Sequence, residues 1–212
     1  MQVLDVDAAS AGVSSAAVGR PAQAVIDLGA LRGNYLRAKG LHRGRLAAVL
    51  KANAYGHGSV RCARALADVA DAFAVAFVQE ALVLREAGIR APVLVLEGAF
   101  GAGELELAAR HVLWLVVHCA EQVRMLEARS QGPVRLHVWL KIDSGMHRAG
   151  VAPADVKDLW RRLAGCDKVA SVTLMTHFAC ADEASSETTR RQISVFEEAT
   201  AGIPGPRSAC NS

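Results

Sequence analysis

Six apolar runs, each separated from the next by a helical pattern, constrain this chain of 212 residues more than any other feature. They cover residues 46–50, 72–78, 93–96, 113–117, 134–142 and 169–175, and most are apolar at nearly every position. A strand with one wet face alternates apolar and polar residues. A strand that stays apolar throughout is covered on both faces, as in a parallel sheet. The intervening segments carry apolar stripes at helical spacing. Val156, Leu159, Trp160 and Leu163 stand at i, i+3, i+4 and i+7 with Pro153 near the start. Leu105, Ala108 and Ala109 mark another helix. Ser59 is expected to cap a helix that uses Cys62, Leu66 and Ala70, and Gly88 to stop the helix over residues 79–87.

Repeated strand–helix units joined by right-handed crossovers leave a doubly wound sheet or a closed barrel. A nucleotide-binding doubly wound sheet usually carries GxGxxG after its first strand. Here the turn after Leu50 reads KANAYGHG and GxGxxG is absent, which predicts an α/β fold of the (β/α)8 TIM-barrel type. Such a barrel takes about 31 residues per unit, so residues 45–212 hold roughly five to six units. The pattern gives six strand–helix units and a seventh strand starting near Arg207. The barrel is therefore expected to be incomplete over these residues, with two strand edges unpaired. Residues 24–28 (AVIDL) predict a further strand, followed by a helix with Leu31, Tyr35 and Ala38 on one face. Residues 1–23, rich in Ala, Ser and Val without periodicity, read as a flexible arm, and residues 24–212 as one domain.

Composition narrows the class. With 52% hydrophobic and 21% charged residues, the chain can bury a sizeable core, which excludes disordered and fibrous classes. The net charge of +3 is dispersed, so no nucleic-acid partner is expected. No uncharged apolar run approaches the roughly 18 residues of a membrane span. Five widely spaced cysteines and no signal-peptide pattern read as reduced thiols in the cytoplasm.

In a barrel of this type the chemistry gathers just beyond the C-terminal strand ends. Those positions hold Lys51, with Tyr55 and His57 in its loop, then Glu97, Lys141, Arg148, His177, and finally Asn211 and Ser212. Together they form a cationic cup suited to a phosphorylated or carboxylated small ligand. Each also has an ordinary reading: a solvated lysine, an arginine in a surface ion pair, a satisfied core histidine. The setting of Lys51 argues for more, with an apolar strand behind it and Gly56 and Gly58 in front. Desolvation disfavours a charged amine, and a free amine is what Schiff-base formation needs. The other histidines show no HExxH or carboxylate at ligand spacing, so no metal is expected. GxSxG is absent, which leaves a serine hydrolase unsupported.

The segment VLKANAYGHG (49–58) resembles the pyridoxal-phosphate lysine signature of the alanine racemase family. AVIDLGAL (24–31), LKIDSGMHRAG (140–150), LMTHFACADE (174–183) and SACNS (208–212) resemble that family's further motifs in the same order. The resemblance implies a pyridoxal 5'-phosphate barrel, a homodimer, and a C-terminal β-domain that is not among these residues. Lys51 is similar to the lysine that holds the cofactor as an internal aldimine and acts as one of two bases. Tyr55 and Ser212, with Asn211 beside it, resemble phosphate contacts, and His177 the imidazole against the cofactor ring. Arg148 is similar to the arginine that meets the substrate carboxylate. Lys141 resembles the supporting lysine that is carbamylated in some members. In the family the second base is a tyrosine from the partner subunit's C-terminal domain, a role that neither Tyr35 nor Tyr55 fills by motif.

The implied activity is interconversion of L- and D-alanine, for peptidoglycan or for alanine catabolism. The alternative is a truncated, inactive fragment that binds the cofactor and lacks the second base. A neighbouring single-barrel pyridoxal-phosphate protein, or a racemase of broader range, is disfavoured by AYGHG and DSGMHR.

Overall fold

The computed structural model describes residues 3–5, 23–42, 44–130, 132 and 134–210. Most of the stretch read as an arm, residues 6–22, lies outside them, as do Asn211 and Ser212. Within that stretch, β1 (Val3–Asp5) pairs in parallel with β2 (Ala24–Ile26), a two-stranded sheet ahead of helix α1 (Leu28–His42).

From there strand and helix alternate. The sequence of elements is β3 (Ala47–Val49), a single turn α2 (Lys51–Tyr55), α3 (Ser59–Leu66), β4 (Ala72–Val75), α4 (Val78–Glu86), β5 (Val93–Val95) and α5 (Ala102–Arg110). Then follow β6 (Trp114–Val117), α6 (Ala120–Ala128), β7 (Leu136–Lys141), α7 (Val156–Gly165), β8 (Val169–His177), α8 (Thr188–Ala199) and β9 (Arg207–Cys210). The seven strands β3 to β9 form one sheet in chain order, each parallel to the next. A doubly wound sheet reverses its strand order at a switch point, whereas this one never does. The result is a curled sheet of seven barrel staves with its seventh strand beginning at Arg207, as the sequence predicts.

Strand β7 shows how the faces divide. Leu136, Val138 and Leu140 are buried against the helices, while His137, Trp139 and Lys141 alternate onto the inner face. The outer layer holds most of the core, including Phe73, Leu84, Leu115, Leu126 and Leu163. Fully burying each such side chain contributes about 1.5–3 kcal/mol. A smaller inner cluster, Ala74, Leu94, Val116 and Met175, packs with Val49, Trp114 and Trp139. Apolar cover on both sides explains the unbroken apolar runs. It also places the residue after each strand at one rim of the sheet.

Two local expectations need correction. Ser59 does not cap its helix: it lies inside α3 and is buried, and its N–H donates to Asn53 Oδ1 at 2.8 Å. The cap comes from a side chain six residues upstream, presented by the preceding turn. Ala38 is exposed, whereas Tyr35 is buried and donates to the Leu46 carbonyl at 2.7 Å.

The rim is stitched by polar side chains near the starts of four helices. Glu80 accepts from Ala76 N–H (2.7 Å) in its own strand–helix loop and from Ala52 N–H (2.6 Å) in the preceding unit. Glu104 accepts from Phe100 N–H (2.8 Å) and from Gln79 of the neighbouring helix. Gln122 accepts from His118 N–H (2.8 Å) and donates to the Glu97 carbonyl (3.0 Å). Gln192 plays the same part in α8. Each links its own unit to the one before it, which satisfies backbone groups the loops would otherwise leave open.

Candidate functional site

Lys51 leaves β3 at the rim, and the chain then takes an unusual path. Ala52, Asn53, Ala54 and Tyr55 all have φ between 51° and 56°, so α2 is a left-handed turn. For a residue with a Cβ this conformation costs roughly 1–2 kcal/mol. Asparagine tolerates it best, but alanine and tyrosine gain nothing from it. Internal bonds hold the turn, with Ala54 N–H donating to Leu50 O (2.8 Å) and Gly58 N–H to Asn53 O (2.9 Å). Glu80 and Asn53 anchor it from either side. Strain that is held in place by its surroundings is characteristic of functional positions. Its geometric effect is to bring the Tyr55 ring to 6.0 Å from Lys51 Nζ, with the ring half exposed.

Lys141 ends the inner face of β7 and Arg148 stands in the loop after it. That loop is organised by Asp143, whose Oδ1 accepts the N–H groups of Gly145 (3.0 Å), Met146 (3.1 Å) and His147 (3.0 Å). Burial works to raise the Asp143 pKa, but these backbone donors and the His147 imidazole outweigh it, holding the carboxyl below its ordinary range. Gly150, at φ 141°, lets the loop return so that Val151 N–H donates to Lys141 O at 2.9 Å. A Cβ at that glycine would lie 2.5 Å from Asp143 N. His177 closes β8, in register with Cys210 of β9.

These side chains feel one another. Burial, then the Arg148 guanidinium, pushes the Lys141 amine below its ordinary pKa; Lys51 adds to this, while Glu97 and Asp143 pull the other way. Burial, then Arg148, Lys141 and Lys51, keeps the His177 imidazole below its ordinary value. Lys51, Lys141, Arg148 and His177 thus lie near enough for their charges to act on one another, Glu97 acts on Lys141, and the Tyr55 ring stands beside Lys51. None of Lys51, Lys141 and Arg148 forms an ion pair among the described residues. His57 turns away, its Nδ1 against the Ala54 carbonyl at 2.8 Å.

The stitching residues Glu80, Gln122 and Gln192 and the Asp143 clamp were not singled out from the sequence. Glu80 three residues after Phe77 has the spacing of a helix-start acceptor, a signal that was available. The glutamines carry no comparable mark.

Cations that form no ion pair among the described residues, beside a half-buried imidazole whose pKa is held down, are suited to an anionic ligand. Pyridoxal 5'-phosphate matches this donor set: a phosphate and a phenolic oxygen for the cations, and an aldehyde for an amine.

Comparison with known proteins agrees with this chemistry. Residues 26–212 match the family model described as "Alanine racemase, N-terminal domain". An alanine racemase of Aromatoleum aromaticum is 53% identical over 193 residues, covering 91% of this chain and 54% of that protein. A catabolic alanine racemase of Pseudomonas putida is 54% identical over 195 residues, with the same coverage. The crystal structure of the biosynthetic alanine racemase from Pseudomonas aeruginosa superposes with a TM-score of 0.82 at 43% identity, over 87% of this chain and 51% of that one. The chain spans about half the length of the curated relatives it matches. With a family model matched across nearly all of its ordered strand–helix units, this chain belongs to the alanine racemase N-terminal domain family.

Proposed function

We propose that this chain carries the cofactor-binding half-site of a racemase that interconverts L- and D-alanine with pyridoxal 5'-phosphate. What supports the reading is that the charges of Lys51, Lys141 and Arg148 act together on the His177 imidazole, while none of the three cations forms an ion pair among the described residues.

Pyridoxal 5'-phosphate, when bound, supplies an electron sink that acidifies the Cα–H of an amino acid attached to it. Lys51 Nζ is the group that would hold it, and it takes or returns the proton at the substrate Cα on the face it occupies. Arg148 binds the substrate carboxylate and so fixes which face of Cα meets Lys51. His177, whose pKa burial and then the neighbouring cations hold down, would stand against the ring. Tyr55 would meet the phosphate, a role that the family resemblance also gives to Asn211 and Ser212, which lie outside the described residues. Lys141 supports Arg148, and an amine pushed toward its neutral form is suited to carbamylation, which would turn a repulsive neighbour into an attractive one.

Inversion needs a second base on the opposite face. Tyr35 does not provide it: its hydroxyl donates to Leu46 O and accepts from Asp71 N–H at 3.2 Å, beside the N-terminal end of the sheet. We assign that base to a tyrosine of the partner subunit in a cytoplasmic homodimer. The D-alanine produced serves peptidoglycan, or the reverse reaction serves catabolism. Cofactor binding without inversion is the outcome to be told apart from racemisation.

Deuterium exchange at Cα separates the two. In D2O with cofactor, the protein exchanges the Cα proton of alanine, and Lys51→Ala abolishes the exchange. Racemisation adds the opposite enantiomer on a chiral column; binding without inversion gives exchange with retained configuration. No exchange in a cofactor-loaded sample contradicts the proposal.

A further inference from the structure

Gln192 stands in the helix α8, yet it is 1% exposed and its carboxamide is engaged on both sides. Oε1 accepts from Ala179 N–H at 2.9 Å. Nε2 donates to the His177 carbonyl at 3.1 Å and to Ser144 Oγ at 3.4 Å. Ser144 Oγ lies 2.7 Å from Thr176 Oγ1, which donates to the Ile142 carbonyl at 3.0 Å. Ser144 and Thr176 are buried as well. One side chain therefore grips the loop that carries Arg148 and, at the same time, the strand end that carries His177.

The chemistry at this position is specific. Glu80, its counterpart in α4, faces N–H groups only and is an acceptor throughout. Gln192 must accept on one side and donate on the other, so only a carboxamide of this length satisfies both loops. Burying such a group costs free energy unless every bond is made, and a network that makes them all holds its members in one arrangement.

We infer that Gln192 is a positioning residue that fixes His177 relative to Arg148. Its relevance to turnover rests on the reading above that these two side chains serve one site.

The charged groups that face His177 are Lys51 beyond β3, Lys141 on β7 and Arg148 in the loop after β7. If the network sets their separation from the imidazole, loosening it relaxes both the burial and the positive field. NMR titration of the histidines in the cofactor-free, full 212-residue protein reads this directly. In Gln192→Met the His177 midpoint rises by about 0.5–1 pH unit. Exchange of the Gly145, Met146 and His147 amides quickens about fivefold to tenfold. Ser144→Ala, a smaller change that still decides the matter if Gln192→Met fails to fold, gives a lesser rise in the same direction. Gln122→Met removes an equivalent buried carboxamide two units away and leaves the His177 midpoint in place. A His177 titration that does not move in Gln192→Met or Ser144→Ala, or that moves equally in Gln122→Met, overturns the inference. Borohydride labelling of the parent protein with cofactor is run alongside. Absence of label at Lys51 counts against the cofactor reading alone, because the titration uses no cofactor.

Discussion

The Glu80 carboxylate accepts the backbone N–H of Ala52, the residue that follows Lys51, at 2.6 Å. Its other oxygen accepts from Ala76 N–H at 2.7 Å and Phe77 N–H at 3.3 Å. A residue of the second strand–helix unit thereby restrains the left-handed turn of the first, where four residues sit at positive φ.

Replacing Glu80 by glutamine turns one acceptor oxygen into a donor facing a donor. Glu80→Gln is expected to lower stability by about 1–2 kcal/mol and to speed exchange of the Ala52 amide. Thermal unfolding followed by circular dichroism, with hydrogen exchange at that amide, checks both. Unchanged exchange means that the turn holds itself.

The return of the Arg148 loop depends on Gly150. Any Cβ there meets Asp143 N at 2.5 Å and the Ile142 carbonyl carbon at 2.8 Å, from a backbone at φ 141°. Gly150→Ala is expected to cost about 2–4 kcal/mol in urea unfolding. Gly101→Ala, where nothing lies within 4 Å of the added carbon, serves as the comparison and costs far less.

Acid should destabilise the protein in two steps. Burial, and then Arg148, Lys141 and Lys51, hold His177 below the ordinary imidazole value of about 6.5. The backbone donors of the loop hold Asp143 below the ordinary carboxyl value of about 3.9. In each case the unfolded chain takes up the proton more readily than the folded one, so stability falls as pH drops. The loss begins near the unfolded-state pKa and runs through the folded one. His177→Gln should flatten the melting-temperature profile between about pH 7 and 5 and leave the limb below about pH 4. A profile still sloping in the upper window assigns that slope to another group.

Lys141 gives a prediction in which two measurements move oppositely. Its half-buried amine sits among like charges that disfavour its charged form. Lys141→Met should therefore stabilise the ligand-free protein by about 1 kcal/mol. The same change should reduce the rise in melting temperature that inorganic phosphate or cofactor produces. At a ligand concentration of 100 Kd that rise corresponds to about 2.7 kcal/mol in the parent. Calorimetry with and without ligand tests both signs.

Much of this architecture was legible because the strands are buried on both faces. Runs such as residues 93–96 and 113–117 are apolar at successive positions only if helices cover one side and the barrel interior the other. The rim residues Lys51, Lys141, Arg148 and His177 could then be read from the end of each run and the loop after it. The left-handed turn could not, because Ala52, Ala54 and Tyr55 have no local preference for positive φ. Beyond its internal bonds, that turn is anchored by Glu80 and Asn53 through contacts 28 and 6 residues apart. Gln192 was hidden for a similar reason. Its partners are backbone groups and a hydroxyl up to 48 residues away, and a glutamine on a helix ordinarily faces solvent. Strand β1 lies in a stretch without periodicity, and three residues are too few to show one.

The central claim is that the Lys51 amine forms the covalent bond to the cofactor. Reduction with borohydride after incubation with pyridoxal 5'-phosphate, followed by peptide mass mapping, tests it most directly. A single pyridoxyl-phosphate adduct is expected on the peptide containing Lys51, lost in Lys51→Ala. An adduct on Lys141 or elsewhere, or none on the folded protein, contradicts it.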